Sequence, residues 1–81
     1  MIKMVWKKVK TKFANEEMWM DKILGYINII EESNGSYKEY IVGSNNKEFR
    51  ADHGGESSVP FKTKKEAITY AKWWMTKLRE G

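Results

Sequence analysis

The chain has 81 residues, no cysteine, one histidine and a net charge of +4. That length supports one small domain, and the missing thiols exclude disulfides and Cys-ligated metals. No run of about 18 apolar residues exists, which excludes a membrane-spanning helix. With 41% hydrophobic and 14% aromatic residues, a disordered chain is excluded as well.

Charge is unevenly spread. Residues 1–12 carry +5, residues 13–35 carry −4, residues 36–60 carry −1 and residues 61–81 carry +4. Two basic ends flank an acidic middle. If the ends meet in the fold they form one cationic surface, for which a polyanion is the natural partner. Residues 1–12 are Lys-rich and no apolar stretch follows them. That is unlike a signal peptide, and the expected location is the cytoplasm.

In chain order, the amino-terminal segment fits two spacings. Ile2, Val5, Trp6, Val9 and Phe13 recur as on a helix. Val5, Val9 and Phe13 also share one face of an alternating strand, with Met4 and Trp6 on the other. The Val–Lys alternation and the Trp favour a strand. Asn15-Glu16-Glu17 reads as a turn before Met18-Trp19-Met20. The β-branched and aromatic run over residues 22–31 predicts a strand, as does the run over residues 37–42. Asn34-Gly35 between them predicts a hairpin with a type I′ turn. Gly43-Ser44-Asn45-Asn46 reads as a second turn and residues 47–52 as a short third strand. Residues 53–58 have the composition of a flexible loop, closed by Pro60.

Thr63-Lys64-Lys65-Glu66 matches a capping box, and a helix is predicted to about Arg79. At 100° per residue, Ala67, Ala71, Trp74, Met75 and Leu78 form one stripe, with Ile68 at its edge. The predicted class is therefore α+β: a three- to four-stranded antiparallel meander packed by one carboxy-terminal helix. As a single domain over residues 1–81, it comprises a basic segment (1–20), the meander (21–52), a flexible loop (53–62) and the helix (63–80).

The strand over residues 22–31 is apolar on both faces. Ile23, Ile27 and Ile29 point one way, and Leu24, Tyr26 and Ile30 the other. One helix covers one face. The second needs the amino-terminal segment, a second copy of the chain or a partner protein. Trp6 and Trp19 are expected as aromatic plugs for that face. Met1, Met4, Met18 and Met20 suit either an adaptable interface or gap filling. Tyr37 and Tyr40 lie on opposite faces of their strand, so one of them is expected in solvent.

Catalysis has one candidate: His53 beside Asp52, near Glu56, Ser57 and Ser58. These residues share one Gly-rich stretch, whereas such sites need support from separate elements. No enzyme activity, metal or cofactor is therefore expected. The helix start carries Lys62, Lys64 and Lys65 beside exposed amides, where lysines oppose the helix dipole and suit a phosphate, or simply solvate the first turn. Trp73 falls on the polar side of the helix, between Glu66 and Lys77 and beside Tyr70. It either stacks on a base or anchors a partner, or packs under the amino-terminal segment. The predicted contact set is Lys7, Lys8, Lys10, Lys12, Lys62, Lys64, Lys65, Lys72 and Lys77 for phosphates, with Trp73 for stacking.

The stretch Val59-Pro60-Phe61-Lys62-Thr63-Lys64-Lys65-Glu66-Ala67 resembles the F-x-T-x-x-E-A helix start of small sheet-plus-helix modules, among them the arm-binding domains of phage integrases. The short, cysteine-free, Lys-, Asn-, Ile- and Met-rich chain with tandem Trp is similar to accessory proteins of AT-rich bacteriophages. That resemblance implies a host-takeover or anti-defence role in the host cytoplasm. The leading expectation is a non-catalytic module that binds nucleic acid, RNA or DNA, or a nucleoprotein. The alternatives are an inhibitor that caps a host protein and a homodimer or larger homo-oligomer.

Overall fold

The computed structural model describes residues 6–58 and 60–80. Four strands form one antiparallel sheet in the order β1-β2-β3-β4: β1 Lys7–Val9, β2 Glu16–Asp21, β3 Gly25–Asn34 and β4 Tyr37–Ser44. Helix α1 spans Lys47–His53 and helix α2 spans Lys64–Glu80. The α+β class and the carboxy-terminal helix packed on the sheet are as expected.

Residues 47–52 are helical, against the strand expected there. Asn46 is the reason: its side chain accepts from the Glu48 and Phe49 amides, and Gly54 ends the helix in the left-handed region at φ 67°. Burial of Phe49 then repays a helix of only 7 residues. The expected turn at 15–17 also moves, because Glu16 and Glu17 pair with Ile30 and Ile29 inside β2. The β3–β4 hairpin is present, but its loop is Gly35-Ser36, one residue later than expected. Asn34 pairs with Tyr37, and only Gly35 takes a positive φ (68°) there.

The amino-terminal strand is present as β1, whose Lys7, Lys8 and Val9 oppose Met20, Trp19 and Met18. The part of that expectation on residues 2–5 lies outside the described residues. β1 extends the sheet and does not cover its second face. Trp6 and Trp19 are structural, but on the helix side. Trp6 is buried and its Nε1–H donates to the Met75 carbonyl at 3.0 Å, while Trp19 packs against the same core.

The predicted stripe of α2 is the core face: Ala67, Ala71, Trp74, Met75 and Leu78 are all buried. They meet Ile27, Ile29, Val42 and Phe49. At the helix start the Thr63 hydroxyl accepts from the Glu66 amide (3.2 Å) and donates to the Glu66 carboxylate (2.9 Å). The carboxylate thus bonds the hydroxyl, where the capping box would take it to the Thr63 amide.

Residues 56–58 and Phe61 lie along the outer edge of β4. Ser44 N–H donates to the Glu56 carbonyl, Ser58 N–H to Val42, and Tyr40 and Phe61 exchange both bonds at 2.8–2.9 Å. This segment therefore closes a sheet edge that would otherwise stay open. Ile23, expected beside Ile27, sits in the β2–β3 turn and is 89% exposed. Asp21 shapes that turn by accepting from the Ile23 and Leu24 amides.

Phe49 is the buried residue of α1, so its truncation tests how α1 is attached to the core. Phe49→Ala is expected to cost about 3–5 kcal/mol. Urea unfolding followed by tryptophan fluorescence should show most of the stability lost, whereas Ile23→Ser should leave the midpoint unchanged.

Candidate functional site

A strip of aromatic rings runs from the core to the surface along the flank of α2 that faces β4. Phe49 stacks on His53 at 4.0 Å, and His53 meets Tyr70 edge-on at 5.8 Å. Tyr70 lies 5.2 Å from Phe61 and stacks on Trp73 with ring centroids 6.3 Å apart and planes 12° apart. Trp73 is 53% exposed. The alternative in which it packs under the amino-terminal segment does not occur among the described residues.

Two shallow grooves meet at Phe61. One is lined by Tyr37, Lys38, Glu39, Pro60, Phe61 and Lys62. The other is lined by Phe61, Lys65, Glu66, Thr69, Tyr70 and Trp73. Tyr37 is 57% exposed, as expected for one of the two strand tyrosines, and Tyr40 packs against the core. The Lys77 ammonium sits over both indoles, 5.1 Å from the Trp73 ring and 4.6 Å from the Trp74 ring. The strip thus alternates aromatic faces with Lys38, Lys62, Lys65 and Lys77, and carries Glu39 and Glu66 as its acids.

The contact set read from the sequence divides into five places. Lys62, Lys65, Trp73 and Lys77 gather at the strip. Lys8 and Lys64 both bond Glu17, Lys8 at 2.9 Å. The two basic ends of the chain therefore do meet, but over a carboxylate. Lys7 points to the opposite face of the sheet, and Lys10 and Lys12 follow β1 in exposed backbone. Lys72 lies on the solvent side of α2. Tyr37, Lys38, Pro60, Phe61 and Tyr70 complete the strip and were not in the predicted set. The i, i+3 spacing of Tyr70 and Trp73 was the available signal for one of them.

His53 joins α1 to α2. Its Nδ1–H donates to the Phe49 carbonyl at 2.8 Å, so in the neutral ring Nε2 accepts from the Tyr70 hydroxyl at 2.5 Å. Both ring nitrogens are engaged and its side chain is 10% exposed. Ser58, which was a candidate hydroxyl, instead accepts from the Val42 amide. Among the described residues no three His, Asp or Glu side chains converge as metal ligands. No helix among them is long and apolar enough to cross a membrane.

Hydrogen bonds from Lys64 and then Lys8 hold the Glu17 carboxyl below its usual range, and the same contact raises Lys64. The Leu24 and Ile23 amides, helped by Arg79, lower Asp21 against the effect of its burial. Set against protein-family models, curated proteins and solved structures, the chain finds no match.

The Glu17 contact gives a pH test. A lowered carboxyl contributes stability above its unfolded value, near 4.5, and loses it as pH falls through the folded value. Glu17→Gln should therefore destabilise the protein at neutral pH by up to about 1 kcal/mol, since both lysines are half exposed. Urea midpoints measured from neutral to acid pH should show the two proteins converging once pH falls well below 4.5.

Proposed function

We propose that the protein is a non-catalytic binding module that holds single-stranded nucleic acid along the aromatic strip. The observation that carries this reading is Trp73: half exposed, stacked parallel to Tyr70, and paired with the Lys77 ammonium. A base has two π-faces, and in a duplex both are already stacked. An exposed indole next to a second parallel ring suits unpaired bases. Phe61 and Tyr37 continue the platform, while Lys62, Lys65 and Lys77 supply charge for the backbone. Lys8 and Lys64 contribute less to this surface, because both already bond the Glu17 carboxylate.

A protein partner is the second reading, and the same residues favour it. Trp and Tyr around an apolar groove are the usual anchors of protein interfaces. On that reading the module caps a host protein, in keeping with its resemblance to phage accessory proteins. Salt separates the two readings. Phosphate contacts release counterions, whereas an aromatic hot spot depends little on ionic strength.

Anisotropy titrations with labelled RNA, single-stranded DNA and duplex DNA over about 50 to 200 mM salt test the proposal. Single strands should bind more tightly than duplex. Three lysines at the strip should give a log–log salt slope of about −2 on single strands. Trp73→Ala should weaken binding by about 1–3 kcal/mol, the value of one stacked base. Absence of binding at the lowest salt, or equal binding by Trp73→Ala, overturns the reading.

A further inference from the structure

The two faces of the sheet differ in kind. On the face under α2 the side chains are buried or ion-paired: Ile27, Ile29 and Val42 in the core, and Lys8 with Glu17 at the margin. Strand register places Lys7 and Val9 of β1, Met20, Met18 and Glu16 of β2, and Ile30 of β3 on the other face. No element among the described residues lies over this half of it. Met20 is 46% exposed, and Val9, Met18 and Ile30 are partly exposed.

We infer that this face is the interface of a symmetric dimer, with a second copy of the chain as its occupant. The argument rests on charge placement. Lys7 stands opposite Met20 at one end of the β1–β2 pair, and Glu16, two residues beyond Met18 at its other end, stands opposite Ile30 of β3. Lys7 has no ion pair among the described residues. Glu16 accepts from the Asn28 amide at 2.6 Å, which anchors its carboxylate on this face.

A two-fold axis through the Val9–Met18 pair reverses the strands. It brings Lys7 of each copy to Glu16 of the other and closes Val9, Met18, Met20 and Ile30 between them. Only a surface that is complementary to itself does this, and a two-fold contact requires that property. The resulting arrangement is close to the aligned packing of two sheets. Edge-to-edge association is disfavoured, because β1 is 3 residues long and Lys-bearing, and Glu56, Ser58 and Phe61 cover the edge of β4. The dimer is independent of the nucleic-acid reading: Trp73 and Phe61 belong to the α2 side and stay open.

Sedimentation equilibrium over a concentration series, without nucleic acid, tests it. Wild type should approach twice the 9.6 kDa chain mass. Lys7→Glu places like charges together at both contacts, as does Glu16→Lys, and each should weaken association at least about tenfold. Mixing the two variants should restore the dimer, since every cross-contact is then Glu with Lys, and the double variant should restore it too. Circular dichroism checks that each variant is folded. The inference is overturned if wild type stays at the single-chain mass. It is equally overturned if neither charge reversal loosens the dimer, or if mixing does not restore it.

Discussion

One imidazole joins the pieces of this small fold. His53 closes α1 through the Phe49 carbonyl and reaches across to the Tyr70 hydroxyl on α2. Its ring also fills the space between Phe49 and Trp74, at 4.0 and 5.6 Å. A helix as short as α1 does not persist unaided, so its position depends on these contacts. The covering segment at the edge of β4 begins where α1 ends. Weakening the His53 bridge would therefore loosen the sheet edge as well as the helix.

The same bridge sets the stiffness of the surface site. Tyr70 is held from one side by His53 and from the other by Phe61, so it presents a fixed plane to Trp73. Trp73 in turn meets Trp74 edge-on at 5.4 Å, and Trp74 is buried. An exposed indole held in this way loses little rotamer freedom on binding. The exposed end of the strip is thus an extension of the core.

Much of the fold was legible in the sequence because its signals are local and periodic. The α2 stripe follows from 3.6-residue spacing, and the β3–β4 hairpin from Asn-Gly between β-branched runs. The α1 segment does not read as a helix because its large apolar content is a single Phe49, too little to show any period. Its signal was Asn46 at one end and Gly54 at the other, both of which also read as turns. Trp6 and Trp19 were assigned to the wrong sheet face. Their orientation depends on register with β2 and β3, which is set by tertiary pairing. At the site, Trp73 and Lys77 were legible from the helical wheel alone. Phe61 was not, because only its pairing with Tyr40 of β4 brings it beside Tyr70 of α2.

Net charge was a poor guide to where the cations act. The basic ends converge, yet Glu17 takes both Lys8 and Lys64, and Glu31 takes Lys38 at 3.4 Å. The acidic middle of the chain supplies the carboxylates that line β2 and β3, so Lys64 is spent on holding α2 to the sheet, and Lys8 and Lys38 on contacts between strands. What remains for a ligand is smaller and more specific: lysines beside ring faces at the strip and, among the described residues, Lys7 on the other side of the sheet. A field of many lysines would attract any polyanion from a distance. On the proposed reading, three cations beside ring faces would discriminate by contact, and contact is what separates an unpaired base from a duplex.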